Sequence, residues 1–296
     1  MSLITITQCP ICKGSNFEAF HRCIDFTASK EEFAIVKCTS CNLLITSPRP
    51  DSNAIGKYYE SEDYISHSNS SKSLTDNVYK TVRSFTLRWK LNLVESEKPK
   101  GCILDYGCGT GEFLSTCIKY NWDAYGVEPS DQARRKAIQL TSLPITKSLN
   151  QLTNKKFDII TLWHVLEHID NLNEKISELK SRLTENGTIF IAVPNCKSLD
   201  ARIYKTQWAA YDVPRHLWHF SKENIKNLLA SHGLQLTNII PMKQDSYYIS
   251  FLSEKYRHPT APIFIDLIKA FLIGTRSNLA GRKDQNYSSL VYIAKA

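Results

Sequence analysis

The chain has 296 residues, 42% of them hydrophobic and 22% charged, enough to bury a full core and too mixed for a disordered tail or a low-complexity polymer. Its 37 basic against 29 acidic residues give a mild net charge of +8, compatible with an anionic small molecule, nucleic acid or an anionic lipid surface. No stretch of about 18 apolar residues occurs, and no basic amino-terminal segment runs into an apolar one, so the expectation is a cytoplasmic protein without a membrane span.

Two C-x-x-C turns come first, Cys9-Pro-Ile-Cys12 and Cys38-Thr-Ser-Cys41. Each spacing lets two thiolates grip one metal ion, and two such pairs complete the tetrahedral shell of a structural zinc. With all four positions taken by sulfur, the ion would fold a small module rather than catalyse, and chelation would melt that module before the rest. Redox pairs or chance cysteines are the competing readings. Cys23 is a weaker spare ligand, and Cys102, Cys108, Cys117 and Cys196 read as small buried residues near a sheet. Ser47-Pro-Arg-Pro50 closes the module, which gives a zinc-ribbon-like unit over residues 1–50. Residues 51–100 read as a helical linker covering a cofactor site. In it Tyr58, Tyr59, Tyr64 and His67 precede a predicted helix from about Thr75 to Ser96, and the tyrosines either bind a ligand or pack the ribbon on the main domain.

The main domain, 101–296, opens on Cys102-Ile-Leu-Asp-Tyr-Gly-Cys-Gly-Thr-Gly111, an apolar strand that ends in an acid and three alternate glycines before a helix from Glu112 to about Asn121. Gly107, Gly109 and Gly111 let backbone amides approach a ligand, although such turns also serve plain strand-to-helix packing. The spacing departs from the G-x-G-x-x-G of a dinucleotide site. A strand over Trp122–Val127 then ends at Glu128, whose carboxylate can accept hydrogen bonds from both hydroxyls of a ribose. The next strand, Phe157–Trp163, is continuously apolar like a buried parallel strand. It runs into His164-Val-Leu-Glu-His168, a helix over about Leu172–Leu183, a turn at Glu185-Asn-Gly187 and a strand over Thr188–Val193. Closing strands are expected at Leu234–Ile240 and Ser289–Ala294, with insertions at about 196–220 and 245–285. Within the second insertion, Ala261–Ile273 has apolar residues around most of a helix, which implies burial; a subunit contact or an interfacial membrane helix is the alternative.

Gly107-Cys-Gly-Thr-Gly111, with Asp105 before it and Glu128 after the next strand, resembles motif I of the class I S-adenosylmethionine-dependent methyltransferases. The resemblance covers roughly residues 100–240. It implies an α/β fold with a Rossmann-like, seven-stranded, doubly wound sheet and S-adenosylmethionine as cofactor. Asp105, Gly107, Cys108, Gly109 and Gly111 would hold the methionine end, Glu128 the ribose, Pro129 and Ser130 the adenine border, and Leu162 and Trp163 the methionine side. Joined to a zinc-binding amino-terminal module, this core resembles the sugar C-methyltransferases, with the expectation that the carboxyl-terminal domain typical of that family is absent. His164-Val-Leu-Glu-His168 also resembles the E-x-x-E-H metal site of ubiquinone-pathway O-methyltransferases and small-RNA terminal 2'-O-methyltransferases, with His164 in place of the first acid.

An activated methyl group needs an aligned nucleophile, and usually a proton must leave. The histidines after the fourth and fifth strands are the candidates, with His216 in Tyr211-Asp-Val-Pro-Arg-His-Leu-Trp-His219 as first choice of base and Tyr211 beside it. Arg215 and His219 would shape the acceptor site, and His164 and His168 would line its other wall. Arg215 could pair with a phosphate or carboxylate, so a small anionic acceptor is expected, such as a nucleotide sugar or polysaccharide precursor. The alternatives are metal-assisted O-methylation of a quinone precursor or RNA, and a non-catalytic scaffold that binds cofactor.

Overall fold

The computed structural model describes residues 3–59 and 74–296, with side chains of the first helix described from residue 84 onward. Tyr64 and His67 lie outside the described residues. The elements in chain order are β1 (Leu3–Ile4), β2 (Phe17–Ile24), β3 (Glu32–Cys38), β4 (Leu44–Thr46), β5 (Arg49–Pro50), α1 (Leu74–Glu97), β6 (Cys102–Tyr106), α2 (Glu112–Lys119), β7 (Asp123–Val127) and α3 (Asp131–Thr141). They continue with β8 (Phe157–Trp163), α4 (Leu172–Ser181), β9 (Leu183–Pro194), α5 (Leu199–Tyr204), β10 (Trp218–His219), α6 (Lys222–Ser231), β11 (Gln235–Pro241), α7 (Asp245–Arg257), α8 (Ile263–Asp284) and β12 (Ser289–Lys295).

The central sheet has the order β11-β12-β9-β8-β6-β7. Its β7, β6, β8 and β9 run parallel, and β12 and β11 close it antiparallel. This is the α/β, Rossmann-like sheet expected, with one change. The seventh strand is reduced, among the described residues, to a single parallel bridge between Val127 and Thr146. The Asn-Gly turn at 185–187 also takes another form. Leu183 pairs with Phe157 and Thr188 with Ile159, so residues 184–187 bulge from a continuous β9.

Burial follows the pattern of a sheet covered on both faces: Phe157, Ile159, Ile160 and Leu162 of β8 are all fully buried. Because β6 is flanked by β7 and β8, the chain reverses direction across the sheet there, and a crevice opens outside the carboxyl ends of β6 and β8.

The amino-terminal cysteine segment is not separated at residue 50. Its sheet, β2-β3-β4, is completed by β10 of the main domain, with Trp218 opposite Ile45 and His219 opposite Leu44. Cys9, Cys38, Leu43 and Ile45 share one apolar core with Leu104, Leu162 and Ile191. Polar ties reinforce this contact: Asn173 Nδ2 donates to the Pro10 carbonyl at 3.0 Å, and Asn224 Nδ2 to the Cys41 carbonyl at 3.0 Å.

Helix α8 departs most from expectation. Its small residues Ala270, Gly274, Ser277 and Gly281 are buried, whereas Ile263, Phe264, Leu267, Ile268, Phe271 and Leu272 are each between 52% and 63% exposed. Buried neighbours cover only the small-residue side, so apolar residues around most of a helix did not here mean burial.

Candidate active site

The glycine loop emerges from β6 at the switch point. Asp105 is buried, and its Oδ1 accepts from Thr161 Oγ1 on neighbouring β8 at 2.7 Å. Burial pushes its carboxyl up to about 7, against the Thr161 hydrogen bond. Glu128, at the end of β7, ties the loop down. Its Oε2 accepts from the Gly109 amide and its Oε1 from the Ser130 amide, both at 2.8 Å, while burial raises its pKa. Two glycines are required for different reasons. A Cβ on Gly107, at φ +73°, would lie 2.6 Å from Val165 Cγ2, so the loop interlocks with the turn after β8. A Cβ on Gly109, at φ +56°, would meet nothing within 4 Å, so this side of the loop backbone faces open space where a ligand can approach.

Trp163 stacks edge-on against Phe113 at 5.4 Å, and Lys90 of α1 lies 4.5 Å above its ring. Leu162 instead points into the core, fully buried. Cys108 is buried as well, Pro129 follows the Glu128 turn, and Ser130 caps α3 through its side chain.

A second cluster stands on the turn after β8. His164 has φ +58°, an uncommon value for a side chain of this size. It is held at three points: its amide donates to the Ala192 carbonyl at 3.0 Å, its Nε2 lies 3.0 Å from Asp245 Oδ2, and its Nδ1 lies 3.4 Å from Glu167 Oε1. Burial opposes a charge on this ring, but the interactions with Asp245 and then Glu167 outweigh it and raise its pKa to about 9. His164 is therefore an imidazolium at neutral pH.

Glu167 is 1% exposed; its Oε1 is ion-paired with His164 Nδ1 without a well-aligned hydrogen bond, and its Oε2 has no hydrogen-bond partner. Beside it, His168 Nδ1 lies 3.0 Å from the Arg215 carbonyl and 3.1 Å from Tyr59 Oη, and His216 Nδ1 lies 2.8 Å from the Ala210 carbonyl. A carbonyl only accepts, so each Nδ1 carries a proton, which leaves each Nε2 as the nitrogen available to a ligand. Burial, and then the neighbouring His216, pushes the His168 pKa down to about 4, which keeps that ring neutral. The two rings meet edge-on at 4.6 Å, and Glu167, His168 and His216 each offer a ligand atom within 4.8 Å of the others. Two imidazoles and one carboxylate, with both imidazole Nδ1 protons anchored to backbone oxygens, form a donor set suited to a divalent ion.

Other residues expected at the acceptor site are engaged elsewhere. Arg215 is fully buried, with Nη2 at 2.9 Å from Asp25 Oδ1 and 2.6 Å from Asp212 Oδ1, and with Nη1 donating to the Tyr58 carbonyl. It holds the amino-terminal segment to the His216 loop, so it is not placed to receive an anionic acceptor as expected. The Tyr211 ring packs on Trp208, His219 and His21, whereas the ring contact of His216 is with His168. His219 Nε2 lies 3.0 Å from Thr46 Oγ1 inside the β4–β10 contact. Asp245 and Lys90 were not anticipated, since nothing local to a helix start or a long helix marks them.

The cysteine pairs come together in the amino-terminal segment. Cys9 and Cys41 sulfurs are 3.5 Å apart, Cys12 and Cys38 sulfurs 3.4 Å, and all four lie within 4.8 Å of one another. Each turn has the same shape: Lys13 and Asn42 adopt positive φ, and their amides donate to the Cys9 and Cys38 carbonyls.

Residues 79–239 match the family described as Methyltransferase domain. Among curated relatives, the ubiquinone biosynthesis O-methyltransferase of Actinobacillus pleuropneumoniae is 25% identical over 169 residues, covering 52% of this chain and 72% of that protein. The mitochondrial enzyme of the same name from Saccharomyces cerevisiae is 27% identical over 149 residues, covering 45% of this chain and 47% of that protein. The magnesium protoporphyrin IX methyltransferase of Synechocystis PCC 6803, solved with bound SAH, superposes with a TM-score of 0.53 at 15% identity, covering 83% of this chain and 99% of that one.

Proposed function

Because the chain belongs to the methyltransferase-domain family and is an S-adenosylmethionine-dependent methyltransferase, we propose that it methylates a hydroxyl oxygen of a small acceptor beside a divalent ion held by Glu167, His168 and His216. The observation that carries this reading is the Glu167 carboxylate, fully buried with only the 3.4 Å ion pair to His164 Nδ1 and no well-formed hydrogen bond, beside two imidazoles whose Nδ1 atoms are tied to backbone carbonyls. A buried carboxylate whose lone pairs are met by only one loose ion pair is costly, and a cation in this donor set would relieve that cost. When bound there, the ion would lower the pKa of an acceptor hydroxyl toward neutrality.

The protein's own residues supply the rest. Asp105 and the Gly109 amide order the loop for the methionine end of the cofactor, and Glu128 offers its remaining lone pairs to the ribose. Trp163, under the Lys90 ammonium, walls the crevice on the methionine side. His164, as a cation, keeps Glu167 ionised. The acceptor class that suits this chemistry is a phenolic hydroxyl, in keeping with the names of the two O-methyltransferase relatives as ubiquinone-pathway enzymes. A nucleotide sugar loses the residue that argued for it once Arg215 is committed to Asp25 and Asp212.

A second reading keeps His216 as general base without an ion. Its favouring observation is the same Nδ1 hydrogen bond to Ala210, which fixes the ring and leaves Nε2 as the nitrogen that would take a proton. Titration of Mn²⁺ into chelator-treated protein, followed by paramagnetic resonance, separates the two. One bound ion per chain, lost in Glu167→Gln and His216→Asn, supports the metal site; no bound ion leaves His216 as base.

A structural zinc on Cys9, Cys12, Cys38 and Cys41 is the further part of this reading. Tetrahedral bonds of about 2.3 Å require sulfur separations of roughly 3.8 Å, and the four sulfurs already gather within 4.8 Å. Backbone amides of Cys41 and Ser40 overcome the burial of Cys38 and lower its pKa to about 7, whereas burial raises those of Cys9 and Cys41, so a bound ion would be needed to hold all four as thiolates.

A further inference from the structure

We propose that α8 is a docking helix for an anionic membrane surface, seating its apolar face and its arginines on a bilayer that carries acidic phospholipid headgroups. The helix is fixed in orientation by its other side. A Cβ on Gly274 would approach Tyr247 to 2.7 Å, and one on Gly281 would approach Tyr287 to 2.8 Å, so α8 lies tightly on α7 and on the segment before β12. Ser277 Oγ donates to the buried Asp200 at 2.6 Å and pins the helix further. The face turned away presents six large apolar side chains between Ile263 and Leu272, and Leu279 extends the stripe at 51% exposure. This is more than isolated surface apolar residues, and it has the form of an interfacial helix. Among the described residues no helix is long and apolar enough to cross a membrane, so contact would be with the surface.

Charge selects the occupant. Arg276, Arg282 and Lys283 are exposed on α8, and Lys269 is partly so. Of its two acids, Asp266 is buried, and Asp284 at its end lies 3.9 Å from Arg202. A second copy of this face would bring Arg276 and Arg282 into a desolvated contact with no acid opposite, whereas phosphate headgroups supply the counter-charge. A cavity of about 260 Å³ next to Leu279 strengthens the match. Lys243, Gln244, Tyr247, Asn278 and Arg282 line it, so the cavity offers two cations to a headgroup. The insertion also reaches the active site, since α7, on which α8 rests, begins at Asp245 beside His164.

Co-sedimentation of the full chain with phosphatidylglycerol–phosphatidylcholine vesicles, against pure phosphatidylcholine vesicles, tests this. The expected result is binding to the mixed vesicles that weakens with added salt. Phe264→Ser/Phe271→Ser should lose it by roughly tenfold or more, and Arg276→Gln/Arg282→Gln should remove the preference for anionic vesicles. The variants are exposed, and retained cofactor binding reports that they fold; Leu267→Gln/Leu272→Gln provides a second apolar pair. Absence of binding to the mixed vesicles, equal binding to both kinds, or a dimer by light scattering that Phe264→Ser/Phe271→Ser splits would overturn the proposal.

Discussion

The His164 imidazole is gripped by Asp245, 3.0 Å from its Nε2, and its other nitrogen faces the buried Glu167 at 3.4 Å. The insertion that starts at Asp245 thereby sets the charge of a residue on the turn after β8, and through it that of a candidate metal ligand.

Replacing Asp245 with Asn should lower the His164 pKa from about 9 toward the ordinary value of about 6.5, because the largest favourable interaction is lost while burial remains. Proton-detected titration of the His164 ring reads this directly. A ring still protonated at pH 8 in Asp245→Asn would show that another group holds the charge.

The same ring predicts the sign of a pH effect on stability. A pKa raised on folding contributes stability that is fully present below about 6.5 and is lost as pH rises through about 9. Denaturant midpoints of wild type and His164→Asn should therefore differ most at pH 6 and converge above pH 9. A gap that widens with pH would contradict the assignment.

Gly107 and Gly109 should respond differently to alanine. Gly107→Ala forces the new methyl group into Val165 as well as into a left-handed conformation, so both stability and cofactor affinity should fall, the strain alone costing on the order of 1–3 kcal/mol. Gly109→Ala meets no neighbour, so it should cost about 1 kcal/mol of conformational strain and keep the fold. Calorimetry with S-adenosylhomocysteine, paired with thermal melts, checks both, and Val165→Ala should relieve part of the Gly107→Ala defect.

Chelation should not melt the cysteine segment as an independent unit. The segment shares its sheet with Trp218–His219 and its core with Leu104 and Leu162, so removing zinc, or changing Cys38 to Ser, should lower one cooperative transition. Two separated transitions by calorimetry would restore an autonomous module.

What could be read from sequence was local. The acid, the three glycines and Glu128 sit in consecutive segments of one βαβ unit, and each cysteine pair carries its own turn, so spacing alone marked them. The expected module boundary at residue 50 failed because β10 lies far along the chain yet pairs with β4. Arg215 looked like an anion ligand for the same reason: its partner Asp25 is remote in sequence, and only folding shows the pair buried. Asp245 left no trace, being one acid at a helix start. The apolar positions of α8 were visible, but their direction depends on which side Gly274 and Gly281 close against Tyr247 and Tyr287.

The most direct test follows a labelled methyl group from S-adenosylmethionine into small phenolic acceptors, with mass spectrometry locating the label, in chelator-treated protein with and without added Mg²⁺. The account predicts label on oxygen, restored by the ion in wild type, and lowered by roughly a hundredfold or more in Glu167→Gln while cofactor binding is unchanged. Label on carbon or nitrogen, or full transfer after chelation with Glu167→Gln as active as wild type, would contradict it.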